Sequence, residues 1–470
     1  MTETKTLLDL EIDHSALAEP ETLEIVADAA RVVLKEGDAT SLRSFFDTQE
    51  PADVAEILEA LDEDEALAAM RMLDLREQAK IFGYLDARYQ IELSDLMGRR
   101  DFARLMAAMS HDERVDLYKR LDPAAQEAIL PGLAKAERDD LRKLASYAEG
   151  TAGAIMTSDY ATLTPDMTAK EAIEALRAQA LDAETVYQAY IVDDERRLVG
   201  VVSLRDLIVA RANVRVRTLM DTNPVSVGAD EPREEAAQII SRYDLIALPV
   251  INGGEKLVGI VTQDDAMDVQ EEEATTDFLK SGMVSALKTG MREAGIYTLY
   301  RARIVWLVLL VFGNIFSGAG IAYFEDTIAA HLALLFFLPL LIASGGNAGA
   351  QSATLMVRAL ATGDVRMGDW ASVLGREFAT ALLLGVTMAV AVSAIGVLRG
   401  GPAIAVVVAL SMIAIVIVGS MIGMSLPFLL SKLKMDPATA SAPLVTSIAD
   451  VAGVLIYFAI ATQILVMMDA

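Results

Sequence analysis

Asp450 is a carboxylate in a place where water is scarce. It stands in the run Ser447-Ile448-Ala449-Asp450-Val451-Ala452-Gly453, inside an apolar stretch from Ala442 to Met468. On a helix it lies about 12 Å beyond Ala442, at hydrocarbon depth in a bilayer. An ionised carboxylate facing lipid costs at least a few kcal/mol, so it must face a bundle interior or water. The apolar stretches of this chain hold no Lys or Arg to pair with it. Two partners remain: a permeating cation, which the residues favour, or a proton that makes the group a structural hydrogen-bond donor.

Other oxygen-bearing groups suit the same chemistry. Asp264, Asp265, Asp268, Glu271, Glu272, Glu273 and Asp277 crowd one segment just before the first apolar stretch, followed by Lys280, Lys288, Arg292 and Arg301. A charge run is ordinarily a solvated face. Seven carboxylates beside a membrane gate also form a ligand supply for Mg²⁺ or Ca²⁺, which prefer oxygen. An apolar stretch further on carries Pro339 and then Ser344-Gly345-Gly346-Asn347-Ala348-Gly349-Ala350-Gln351-Ser352. Irregular backbone and amides at that depth require burial in protein or an aqueous path. Gly345 and Gly349 as a small-residue packing face, with Asn347 and Gln351 as interhelical glue, is one reading; a pore lining is the other.

What is missing narrows the field. The chain has 470 residues and no cysteine, which removes disulfides, thiolate metal sites and cysteine nucleophiles. Its three histidines, His14, His111 and His331, have no zinc-hydrolase spacing. No phosphate loop or nucleophile–base pair appears, so an enzyme is not expected. The net charge is −27, and the first 300 residues hold 32 of the 40 Lys and Arg against 59 of the 67 Asp and Glu. Such a half repels nucleic acid and attracts cations. Met1 to Glu19 is acidic and lacks a signal-peptide pattern, so this half is expected in the cytosol.

The elements that must position these groups fall into two kinds. After residue 300 five stretches are long enough to span: Ile304 to Phe324, Leu332 to Leu355, Phe378 to Leu398, Pro402 to Leu430 and Ala442 to Met468. With the acidic half inside, the inner flanks hold Arg301, Arg303, Arg358, Arg366, Arg376, Lys432 and Lys434, and the outer flanks only Arg399. That asymmetry fits the positive-inside rule and leaves the C-terminus outside. Glu325 and Asp326 then add negative potential to the outer entrance.

Before residue 150 apolar residues recur every 12 positions, at Leu61, Leu73, Leu85, Met97, Met109, Leu121 and Leu133. A continuous helix would rotate them by about 120° per repeat, so the chain must break into short helices. Asp62 with Glu65, Asp74 with Glu77 and Ser110 with Glu113 have capping-box spacing. The result is a superhelix of stacked helices, a sensing scaffold. Residues 151 to 265 then duplicate. Ile155-Met156-Thr157 is echoed by Leu219-Met220-Asp221, and Leu198-Val199-Gly200-Val201-Val202-Ser203-Leu204-Arg205-Asp206 by Leu257-Val258-Gly259-Ile260-Val261-Thr262-Gln263-Asp264-Asp265. The first copy has about five extra residues near Leu181 to Gln188. This α/β pattern resembles a tandem pair of CBS domains. That resemblance implies a ribose site at Ser203 with Asp206 or Thr262 with Asp265, for ATP or another adenine nucleotide; a capping hydroxyl beside a surface Asp is the plainer reading.

The whole order resembles the MgtE family of magnesium channels, on Gly345-Gly346-Asn347, Gln351, Asp436-Pro437 and Asp450 to Tyr457. The resemblance implies a tail (1–37), an all-α N domain (38–150), two CBS domains (151–213 and 214–268), a connecting plug helix (269–300) and an all-α five-helix membrane domain (301–470). It implies a homodimer in a bacterial-type inner membrane, with Asp450, Asn347, Gln351, Gly345 and Gly346 at a Mg²⁺ pore. It implies cytosolic Mg²⁺ sensing by Glu234, Asp244, Asp265, Asp268, Glu273 and Asp277. Ala350, Ala442 and Thr276 depart from the family pattern, which bears on ion discrimination and on the number of sensor ions. A proton-coupled carrier of Mg²⁺, Co²⁺ or Mn²⁺ and a nucleotide-gated membrane protein remain the alternatives.

Overall fold

The computed structural model describes residues 20–180, 183–285, 294–362 and 364–469. His14, Lys288 and Arg292 lie outside the described residues, as do Leu181 and Asp182 of the extra segment. The chain divides into two compact units, Met1–Glu271 and Glu272–Ala470.

The first unit begins with the expected succession of short helices. Leu75–Tyr84, Ala87–Leu96, Arg99–Ala108 and His111–Arg120 are each 10 residues long. The residue that recurs every 12 positions is the breaker. Leu85, Met97, Met109 and Leu121 each end a helix in extended backbone, with ψ between 142° and 157°. Leu85, Met109 and Leu121 are buried there, so the same residue turns the chain and fills the core. The next residue caps the following helix: Asp74, Asp86 and Asp122 accept hydrogen bonds from first-turn amides. Asp74 and Glu77 complete a capping box. Asp62 and Ser110 do not cap, contrary to expectation. Glu65 is engaged elsewhere, by Arg31 at 3.1 Å, while Glu113 lies close to Gly83.

The duplicated region forms two three-stranded sheets of the same design. In the first, Tyr160–Leu163 runs parallel to Thr185–Val192, which pairs antiparallel with Leu198–Ser203. In the second, Val227–Gly228, Ala247–Ile251 and Leu257–Thr262 repeat the order. The leading segment of each copy joins the sheet of the other: Thr157 exchanges backbone hydrogen bonds with Ile260 (2.8 and 3.0 Å), and Asp221 with Val201 (2.8 and 3.0 Å). This swap explains the glycine in each repeated motif. A Cβ at Gly200 would lie 2.7 Å from the Asp221 carbonyl oxygen, and one at Gly259 2.9 Å from that of Thr157. The second copy shares one continuous hydrophobic core with the helical repeats, while the first keeps its own.

In the second unit, helices long and apolar enough to cross a membrane are Ile296–Tyr323, Ala333–Ala361, Trp370–Lys432 and Ala442–Met467. The 63-residue helical run contains two of the expected spans. Gly401 interrupts it at φ 76°, ψ 179°, and the two arms fold back on each other. Gly396 packs on Ala405 and Gly385 on Ile413. Five membrane-length segments result. The second span corrects one expectation: Ala333–Ala361 is unbroken through Pro339 and the glycines.

Candidate functional site

The second span owes its regularity to its neighbour. Gly345 and Gly349 face the fourth span, where a Cβ would meet Ile415 Cγ2 at 2.5 Å and the Gly419 carbonyl oxygen at 2.7 Å. Gly419 and Gly423 in turn lie against the backbone carbonyls of Gly345 and Gly349, so no side chain fits between the two helices. One residue around the helix, Gly346 faces the fifth span. A Cβ there would lie 2.8 Å from Thr446 Cγ2 and 3.5 Å from Asp450 Oδ1. Asn347 and Gln351, one turn apart, are exposed on the remaining face. The structure therefore brings Gly346 to Asp450, turns Gly345 into the helix packing, and leaves the two amides on an open polar strip.

Among the described residues, Asp450 Oδ1 is buried without a hydrogen-bond partner. A carboxylate oxygen withdrawn from water and left unpaired is costly, and a cation or a proton would relieve it. Two turns further along the fifth span, Tyr457 donates to the Leu334 carbonyl at 2.9 Å and pins the fifth span to the second. Glu325 and Asp326, both exposed, open the short helix Glu325–Ala330 after the first span. On the connecting side, Lys280 reaches Asp436 at 2.5 Å, just ahead of the fifth span, and the contact raises the lysine's pKa against the effect of its partial burial.

The acids expected to sense Mg²⁺ are distributed rather than gathered. Asp265, Asp268, Glu273 and Asp277 lie along the helix Gln263–Ser281. Glu234 and Asp244 sit at opposite ends of the helix Arg233–Tyr243, ~15 Å apart, so they cannot share an ion within one chain. Asp244 closes that helix in left-handed backbone, φ 52°. Among the described residues, no group of three or more His, Asp or Glu side chains could hold a metal ion.

One cluster was not legible beforehand. Asp112 and Glu113, in the first turn of His111–Arg120, meet the electrostatic field of Asp264 and Asp265. Burial pushes Asp265 well above the usual carboxylate range, and Asp112 adds to it. Burial likewise raises Asp112, whose Oδ1 has no hydrogen-bond partner among the described residues. Glu113 is pushed up to about 7 by burial and then by Asp112, and Asp159 nearby to about 6, chiefly by burial. The only sequence signal was two adjacent acids at a helix start, which the helix dipole alone accounts for.

The two candidate nucleotide motifs differ in surroundings. Ser203 Oγ donates to Asp206 Oδ2 at 2.6 Å and accepts from the Asp206 amide at 3.0 Å, on an exposed rim. Thr262 Oγ1 donates to Asp265 Oδ2 at 2.5 Å, but Thr262 is 7% exposed and its Asp belongs to the buried acidic cluster.

Family models match three consecutive parts of the chain: the MgtE intracellular N domain at 49–150, the CBS domain at 152–213 and 216–272, and a divalent cation transporter at 338–460. The magnesium transporter MgtE of Thermus thermophilus is 36% identical over 445 residues, 94% of this chain and 99% of that protein. The chain belongs to the MgtE family. Its counterpart from Bacillus subtilis is 32% identical, covering 92% of this chain and 95% of that protein. Among solved structures, the soluble part of a magnesium transporter (31% identity, TM-score 0.51) covers 54% of the chain and 99% of its own length. The cytosolic domain of the Mg²⁺ channel MgtE in complex with ATP (33%, TM-score 0.50) covers 52% and 99%. An MgtE membrane domain thus carries the Gly346–Asp450 contact, and an MgtE cytosolic domain carries the buried acids.

Proposed function

We propose that this chain conducts Mg²⁺ into the cell through a pore built by two copies in a bacterial-type inner membrane, and that cytosolic Mg²⁺ closes it. The observation that carries the reading is the unpaired Asp450 Oδ1 beside Gly346, with Asn347 and Gln351 on the adjoining open face. Amides exposed at membrane depth need cover or water, and a second copy around an aqueous axis supplies both. Stripping Mg²⁺ of its water is costly, so Asp450 takes the ion with its hydration shell, which the amides can hydrogen-bond. Glu325 and Asp326 concentrate cations at the outer mouth.

On the cytosolic side, acids standing in ones and twos suit Mg²⁺, which is commonly held by one or two carboxylates and several waters. Asp112 with Asp265 fits best, because its orphan oxygen and like charges are relieved together by a divalent ion. Asp268, Glu273 and Asp277 extend the set along the same helix, and Glu234 and Asp244 would serve separate ions. Occupancy favours a compact arrangement and loss a splayed one, which gates the pore as negative feedback. For an adenine nucleotide, the exposed Ser203–Asp206 pair is the available site, since Thr262 and Asp265 are occupied in the acidic cluster.

The test is Mg²⁺ flux into proteoliposomes while cytosolic-side Mg²⁺ is stepped. Flux should run at low Mg²⁺, stop at high Mg²⁺, and vanish in a folded Asp450→Asn variant. Slow, saturable flux tied to a proton gradient would instead make the protein a carrier. Ala at Asp265, Asp268, Glu273 and Asp277 together should leave conduction intact and abolish closure.

A further inference from the structure

The second span touches one more charged group that the pore reading leaves unused. Ser352, directly after Gln351, is 4% exposed, and its hydroxyl lies 2.5 Å from Glu377 Oε1 and 3.0 Å from its own-helix carbonyl at Ala348. Glu377 lies two turns into the helix Trp370–Lys432, directly before the third span, and among the described residues this hydrogen bond is its one polar contact. Val373 and Leu374, one turn earlier on the same helix, pack against Met356, Met424 and Phe428, and Glu377 itself is half-buried.

At about 100° per residue, Ser352 lies within roughly 20° of Gly345 around the helix axis, on the face turned from the open strip. Steric contact with the fourth span holds that face at Gly345 and Gly349, but steric contact alone tolerates sliding and small rotations. A short hydrogen bond to a charged acceptor does not, because it is directional and about twice as strong as a neutral one. We infer that Glu377 is a positioning residue: through Ser352 it fixes the rotation of the second span, and so presents Asn347 and Gln351 to the ion path. The inference rests on the pore reading above.

The absence of native cysteine allows a direct test. Single cysteines are placed at Asn347, on the open strip, and at Ala348, 8% exposed on the packed face. Their modification rates by a small charged thiol reagent are compared in the full-length protein in liposomes. Position 347 should react much faster than 348. With Glu377→Ala or Ser352→Ala added, the ratio should fall roughly tenfold, the effect expected for losing one charge-assisted hydrogen bond. Glu377→Gln, whose amide oxygen accepts a neutral form of the same bond, should keep part of it, above either Ala variant. On the cysteine-free background, Glu377→Ala and Ser352→Ala should lower the discrimination of Mg²⁺ over Ca²⁺, and Glu377→Gln restore part of it. An unchanged ratio in both Ala variants would overturn the clamp, as would a Gln variant no better than Ala. Ser352→Ala deletes one hydroxyl, so it serves if Glu377→Ala does not fold. If the wild type showed neither a 347/348 contrast nor Asp450-dependent flux, the pore reading would fall, and the clamp with it.

Discussion

Asp112 and Asp450 share one trait, a carboxylate oxygen held away from water, and around Asp112 proton linkage exposes it. Glu113 titrates near 7 and Asp159 near 6 in the folded protein, against about 4 for unfolded carboxyls. The folded state thus binds more protons than the unfolded one across that window, and stability falls as pH rises from about 4 to 7. With divalent ions chelated, amide-exchange protection of His111–Arg120 should drop over that range. Glu113→Gln should reduce the slope, leaving the part carried by its acidic neighbours, and millimolar Mg²⁺ should flatten it by replacing the lost protons. A protection that rises with pH would contradict the burial of these acids. Asp450 was visible in the sequence because a charge in an apolar stretch contradicts its surroundings. Asp112 was not, because its conflict with Asp265 exists only once 153 positions of chain have folded between them.

At the scale of elements, periodic features were legible and exceptions depended on tertiary partners. The 12-residue repeat gave the helix breaks, since one residue type serves as both breaker and core. Which acid caps which helix was not fixed by spacing: Asp74 caps and Asp62 does not, because Arg31 draws Glu65 away. The glycines of the second span suggested irregular backbone in isolation. Beside Gly419 and Gly423 they belong to a straight helix whose backbone touches that of its neighbour. Gly419→Ala places a methyl against the Gly345 carbonyl, and backbone cannot yield as a flexible side chain would. Such overpacking costs about 1 to 3 kcal/mol. A thermal melt in detergent should show a midpoint several degrees lower, with the polar strip displaced and Mg²⁺ flux reduced. Gly375→Ala, where a Cβ meets nothing within 4 Å, is the control and should melt unchanged.

For the whole molecule, charge separation between the two ends of the chain links the ion carried to the ion sensed. The last 170 residues are neutral overall and the first 300 hold the entire −27. Two copies side by side would oppose −54, and unrelieved carboxylate pairs a few ångströms apart repel by about 1 to 4 kcal/mol each. Moving a gate from mostly open to mostly closed takes ~5.5 kcal/mol, within reach of a few bridged pairs. General screening is a rival account, because at 0.1 M salt the screening length is already about 10 Å. The two differ in ion valence. Bridging acts over single contacts and needs a divalent ion, whereas screening depends on ionic strength alone. Stepping cytosolic Mg²⁺ through the low millimolar range should therefore halt flux and protect the acidic helix from amide exchange. Sodium chloride at matched ionic strength should do neither. If sodium closed the pore equally well, the cytosolic acids would be a charged cushion, and their placement along Gln263–Ser281 would have no bearing on which ion is sensed.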